Sequence, residues 1–392
     1  MKLKALGFAS IIMATTSIQA APIYNITDLS TIVGGGSNGQ IKINDSEQIV
    51  LSAQIDYKSK WYIGDVNNGL QELSIADWEI RNVTDINNNG QFVGNARNQS
   101  TGYRAFVGDS NGITIINSQP EHAQNELLGI NNSGQTTGRA DIMVQGNEEM
   151  YEENNQAYIA ETDNIIKPFG KLNGRYVRAE RHQAINDSGQ AVGTAKSWVD
   201  DSSTLVAWIA DENGMQQLDS LGGASQANDI NNNGKIVGLS HLADVVDEDG
   251  QIIEDGYNHA FIGDINGITD IGTLDGASSS SAFAINELDQ VVGDSYVGGA
   301  NYAYNAFLFA DEQMFNLNDL VTDLSGWEYL ETAYDINNSG SIVGRGMTTN
   351  GERHAFLLTL NDGQPVEVPE PAMFAIFGLL LAGISFSRKQ KK

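Results

Sequence analysis

Short runs of Val, Ile, Phe and Tyr alternate with polar residues along most of the chain and are separated by clusters of Asn, Asp, Ser and Gly. Period-two alternation bounded by turn residues predicts many short β-strands joined by tight turns, and helical patterning is scarce. The runs are not independent of one another. A motif of the form Ile-Asn-x-x-x-Gln-x-Val-Gly, with drift, begins at Ile43-Asn44, Ile86-Asn87, Ile130-Asn131, Ile185-Asn186, Ile230-Asn231, Ile285-Asn286 and Ile336-Asn337. Successive asparagines lie 43, 44, 55, 45, 55 and 51 residues apart, a spacing found in propeller blades and in some solenoids.

Within each period a strand ends at Ile-Asn, a polar turn such as Asn88-Asn89-Gly90 follows, and a second strand such as Gln91 to Gly94 returns. This is a β-hairpin whose turn residues tolerate positive φ. A second hairpin follows, its first strand marked by Trp61-Tyr62, Ala105-Phe106, Ala157-Tyr158, Ala207-Trp208, Ala260-Phe261, Ala306-Phe307 or Ala355-Phe356. An aromatic residue recurring once per copy predicts a core between repeats rather than a ligand ladder. Two hairpins make four strands per period.

The seventh copy ends near Leu360 without a fourth strand, and a matching segment stands at the other end of the chain. Ile23 to Leu29 (Ile-Tyr-Asn-Ile-Thr-Asp-Leu) precedes the first motif and is similar to the interior return strand Gly267-Ile268-Thr269-Asp270-Ile271. The expected fold is therefore all-β: a seven-bladed β-propeller over residues 21–367, closed by the N-terminal strand joining the last blade. Closure leaves no long strand edge exposed, whereas an open solenoid would need capping repeats.

The ends carry address labels. Residues 1–20 have lysines at 2 and 4, an apolar stretch from Ala5 to Met13 and a small-residue run before Ala20, the pattern of a secretory signal peptide. Residues 368–392 open with Val368-Pro369-Glu370-Pro371, continue almost wholly apolar from Ala372 to Phe386, and finish with Arg388, Lys389, Lys391 and Lys392. This tail resembles the PEP-CTERM sorting signal. The resemblance implies recognition of Pro369, Glu370 and Pro371 by exosortase-type machinery, at least transient insertion of a transmembrane helix, and a place at the surface or in the extracellular matrix of a Gram-negative bacterium. A plain C-terminal anchor is the alternative, and both readings export residues 21–367. The body is similar to the HAF repeat family of extracellular proteins, through His259-Ala260-Phe261, His354-Ala355-Phe356 and segments such as Leu218 to Gly223. Most copies lack the histidine, and that family brings no established catalytic residues.

Charge narrows the partners. The chain has 22 Lys plus Arg against 50 Asp plus Glu, a net charge of −28, and the two terminal segments hold six of the bases but only one acid. Such a field repels nucleic acid and anionic lipid and concentrates cations. Cysteine is absent, which removes disulfides, thiolate metal sites and cysteine nucleophiles.

Asp85 to Gly90, Asp229 to Gly234 and Asp335 to Gly340 look like the opening of a calcium loop, but the twelfth positions are Ala96, Ser240 and Gly346 where a bidentate Glu is required. The other copies begin with Lys42, Gly129, Ala184 or Ala284, so turn hydrogen bonding explains the asparagines better. Acidic loops between second and third strands, with Asp244, Asp247 and Asp249 in the fifth copy, are the candidate metal site for Ca²⁺. The five histidines form no zinc-type pair and no nucleophile elbow is present. The expectation is a non-enzymatic surface or matrix scaffold that binds extracellular polysaccharide or divalent cations, with no catalytic residue and no organic cofactor. The alternative is a polysaccharide-active propeller enzyme, which would place a carboxylate cluster at the central channel.

Overall fold

Every Ile-Asn motif ends the innermost strand of a four-stranded antiparallel sheet, and there are seven such sheets in the computed structural model. The structure describes residues 21–116, 125–140, 156–160, 166–173, 178–199, 202–246, 251–254, 256–298 and 303–361. The expected leader 1–20 and the tail 368–392 lie outside the described residues. Blade 1 comprises Gly36–Ile43, Ile49–Ile55, Lys58–Asp65 and Gly69–Glu72, and blade 2 Glu79–Ile86, Phe92–Asn98, Gly102–Asp109 and Gly112–Ile115. Blades 3 to 6 begin with the inner strands Asn125–Ile130, Arg178–Ile185, Gly222–Ile230 and Ser279–Ile285. Blade 7 takes Trp327–Ile336, Ile342–Thr348 and Arg353–Leu360 from the C-terminal side of the unit, and its outer strand is Tyr24–Asp28.

That outer strand pairs antiparallel from Tyr24 with Leu360 to Asp28 with Phe356, so the ring closes as the sequence predicts. The strand stops at Asp28 rather than Leu29. Asp28 caps a one-turn helix, Leu29–Val33, by accepting the Thr31 N–H at 3.2 Å. Its other carboxylate oxygen meets His354 Nδ1 at 2.8 Å, joining the two ends of the folded body. The same clasp recurs in blade 5, where His259 Nδ1 lies 2.9 Å from Asp270. The histidine of the His-Ala-Phe tripeptide thus ties a third strand to a fourth.

Between blades lies the core. Tyr158, Trp208, Phe261, Phe307 and Phe356 are buried at the positions expected for them, each from the third strand of its blade. The Gly of each Val-Gly makes this possible. A Cβ on Gly94 would stand 2.6 Å from the Phe106 ring that crosses it, and Gly293 and Gly344 face Phe307 and Phe356 in the same way.

The seven asparagines explain their own recurrence. Each Oδ1 accepts backbone N–H groups of its own turn, as Asn186 does from Ser188 and Gln190. Each Nδ2 donates to the carbonyl of the next asparagine, from Asn44 to Asn87 around to Asn337 and back to Asn44, at 2.9–3.1 Å. A buried amide with donor and acceptor in fixed geometry satisfies both roles, which the acceptor-only carboxylate of Asp cannot do.

In five blades the same Nδ2 also meets the Gln four residues on, but blades 5 and 7 carry Lys235 and Ser341 there. In those two seams the following blade substitutes a carboxylate for the turn glycine: Asp289 accepts from Asn231 at 2.8 Å and Glu47 from Asn337 at 3.1 Å. Asp289 and Glu47 hold φ of 58° and 59°, the left-handed region that glycine fills elsewhere. The two solutions compete for one space, since a Cβ on Gly90 would stand 2.9 Å from the Gln48 amide oxygen. Glu47→Gly and Ser341→Gln should therefore each destabilise the protein, by about 1–2 kcal/mol, while the double variant recovers most of the loss. Chemical denaturation of the four proteins reads the coupling, and strict additivity would refute it.

Candidate functional site

The innermost strands line a central channel of 390 Å³. Its wall is built by strand irregularity. In blades 2, 3, 5, 6 and 7 a single residue is bulged out of the inner hairpin three positions before the asparagine: Thr84, Leu128, Asn228, Phe283 and Tyr334, and all five border the channel. In blades 1 and 4 the register slips earlier, and Lys42 and Gln183 border it there. A bulge re-aims a side chain without disturbing the rest of the sheet.

Next to the asparagine ring sits a charged layer formed by Lys42, Asp85, Asp229 and Asp335. Each aspartate clasps two blades. Asp85 accepts the N–H of Ile86 and of Ile130, Asp229 those of Ile230 and Ile285, and Asp335 that of Ile43, at 2.8–2.9 Å. Lys42 Nζ lies 3.8 Å from Asp335 and keeps 29 % of its side chain open to the channel. Burial pushes Asp85 up to about 6 and Asp229 up to about 7, although Lys42 opposes both shifts, and Asp335 is raised for the same reason. Burial by itself would lower Lys42, but the three carboxylates together outweigh it and hold the ammonium above its usual range.

Further out, the seams between blades carry a second polar layer. Glu331 is buried and held by Arg345 at 3.1 Å and Arg353 at 3.0 Å. Burial pushes neighbouring Asp294 up to about 7 against the Thr332 hydroxyl bond, which is 3.0 Å long. Asn95 links its strand to both backbone groups of Leu127, and Arg139 pairs with Glu126 at 3.0 Å.

A carboxylate cluster does occupy the channel, the feature that would mark a polysaccharide-active enzyme. Its oxygens, however, already accept backbone N–H groups from adjacent blades, which leaves the acids engaged as clasps. In the sequence Asp85, Asp229 and Asp335 stand out only as first positions of a calcium-like turn, and Lys42 as the residue that replaces such an aspartate. Their shared location emerges when seven strands separated by tens of residues converge.

The expected metal site is only partly described. Asp244 lies in the blade 5 loop, exposed, with one oxygen accepting the Gly256 N–H at 2.8 Å, while Asp247 and Asp249 lie outside the described residues. Among the described residues no three His, Cys, Asp or Glu side chains converge on a metal-sized space. The sorting residues Pro369, Glu370 and Pro371 are likewise outside, as is the apolar stretch 372–386. No helix among the described residues is long and apolar enough to cross a membrane, and the expected transmembrane helix lies outside those residues.

Fold and channel define this protein as a closed seven-bladed β-propeller. Residues 367–389 match the PEP-CTERM protein-sorting motif, which marks the chain for export to the cell envelope or surface and for exosortase-type processing. The HAF repeat likeness has no corresponding match. No curated relative matches the chain. Among solved structures, the β-propeller domain of the Trilobed protease from Pyrococcus furiosus is similar over 89 % of this chain and 100 % of that one, at 12 % identity and a TM-score of 0.52. That domain is described as having an open velcro topology, whereas here Tyr24–Asp28 seals the ring. An oligogalacturonate lyase from Vibrio parahaemolyticus is similar over 88 % of this chain and 95 % of its own, at 10 % identity and a TM-score of 0.55. At these identities the likeness concerns the fold.

Proposed function

We propose that this protein is a non-enzymatic scaffold of the HAF repeat type at the cell surface or in the extracellular matrix, with polysaccharide as its partner. The observation that carries this reading is the engagement of the channel carboxylates. Asp85 and Asp229 each spend both oxygens on backbone N–H groups of two blades, and a group so held is poorly placed to move a proton at a substrate. The strong negative field favours neutral glycans, or acidic ones bridged by cations.

Glycan-array binding by the exported protein, with and without calcium, tests the reading when paired with an assay for new reducing ends and unsaturated products. Retention without cleavage is expected, and any catalytic release of product sinks the scaffold function. Calcium binding at the blade 5 loop is part of the proposal. Calorimetry should show heat with calcium for the wild type and a marked loss for the Asp244→Asn, Asp247→Asn, Asp249→Asn triple variant. No heat from the wild type removes the metal from the scheme.

A further inference from the structure

The channel wall differs from the rest of the repeat in one respect. The Ile-Asn pair recurs in seven copies, but the bulged residue beside it is Thr84, Leu128, Asn228, Phe283 or Tyr334, a different type each time. A position that the repeat does not need for packing is free to be specific. The resulting ring is lopsided. Blades 4 and 5 contribute two amides, Gln183 and Asn228, while blades 6 and 7 contribute two aromatics, Phe283 and Tyr334, with ring centroids 6.0 Å apart and planes tilted by 42°.

One of the two amides keeps unused capacity. Gln183 is buried, and its side-chain amide meets the Thr137 hydroxyl at 2.9 Å. Asn228 donates its Nδ2 to the Ala282 carbonyl at 2.7 Å, which leaves Oδ1 as an acceptor on the same arc.

We propose that this channel binds one neutral sugar unit, the terminal residue of a glycan, with a C–H face of the sugar against Phe283 and Tyr334 and its hydroxyls on Asn228 and Lys42. A hexose ring has the required combination: one face of axial C–H groups that packs on aromatic rings, and hydroxyls that both donate and accept. The volume of 390 Å³ falls at the lower end for small-ligand sites and leaves room for water around a single ring. The other classes fit worse. Anionic sugars and phosphates meet the carboxylates of Asp85 and Asp229, and a wholly apolar ligand would strip water from Asn228 and Lys42 without replacing their hydrogen bonds. This assignment rests on the scaffold reading and locates part of its glycan recognition.

The test is saturation-transfer NMR on the full exported protein with methyl α-D-glucopyranoside, methyl α-D-mannopyranoside and methyl β-D-galactopyranoside, with D-glucuronate as the anionic control. At least one neutral glycoside should bind at millimolar concentration and glucuronate should not. Tyr334→Leu and, separately, Phe283→Leu should each weaken binding roughly tenfold or more while the thermal midpoint stays within a few degrees. Should one variant fail to fold, the other still decides. Absence of any neutral glycoside signal overturns the assignment, as does a signal that both variants retain. If the wild type and the channel variants hold long polysaccharide equally well, the scaffold stands and only the channel site falls, whereas glycan cleavage would count against the scaffold itself.

Discussion

Removing residues 21–28 from the exported chain should abolish cooperative folding of the monomer. The loss comprises five antiparallel residue pairs from Tyr24–Leu360 to Asp28–Phe356, the fully buried Tyr24 side chain, the cap of the Leu29–Val33 helix and the His354 clasp. Burial of one large side chain is worth about 1.5–3 kcal/mol, and whole domains are stable by only about 5–15 kcal/mol. Losing these contacts together therefore consumes most of the margin. The Arg353–Leu360 strand would also become an open edge, so association is expected alongside unfolding. Circular dichroism melting and size-exclusion chromatography read both effects. A synthetic peptide spanning residues 21–33 should restore the fold in trans by strand addition. A truncated protein melting within a few degrees of the wild type would show that the ring does not depend on its latch.

Lys42→Met should destabilise the protein by roughly 3–5 kcal/mol at pH 8 and by clearly less at pH 5. Methionine preserves the length of the side chain but leaves Asp85, Asp229 and Asp335 around an uncharged group. The sign follows from the direction of the shifts. Asp85 and Asp229 are raised to about 6 and about 7, so between their unfolded and folded values the native state holds more protons than the unfolded chain. Stability from this layer is greatest on the acid side and declines as pH rises through the folded values. Removing the ammonium raises those values further and steepens the decline. Adding Asp229→Asn keeps an acceptor oxygen for Ile230 or Ile285 and removes one charge, and it should return part of the loss at pH 8. The large exposed acid count of the chain contributes a background dependence, so the comparison is made between variants at each pH. Equal losses at pH 5 and pH 8 would mean that Lys42 acts by packing rather than by charge.

The architecture was legible because it is written in local repetition. Seven Ile-Asn motifs, each with a polar turn and a returning Val-Gly strand, count the blades without any knowledge of contacts. The likeness of Ile23 to Leu29 to Gly267 to Ile271 discloses the closing strand, and the recurring aromatic declares the core. What stayed hidden involves side chains brought together from separate copies. Lys42 appeared only as a departure from an aspartate pattern, and Glu47 did not stand out at all. Glu47 makes sense beside Ser341 and Lys42 beside Asp335, partners separated by nearly 300 residues in the chain and adjacent across the closing seam.

The sequence by itself therefore determined the number of units, their strand order, the closure and the C-terminal sorting motif, since each depends on spacing or on residue types a few positions apart. Only the tertiary structure decided what the exceptions do. Ring closure stacks equivalent positions into layers, so a residue that deviates from its repeat meets the deviations of its neighbours: acids face a lysine in one layer, and amides stand beside aromatics in the next. Those encounters follow from three-dimensional symmetry, which gives the channel a chemistry that no single copy contains.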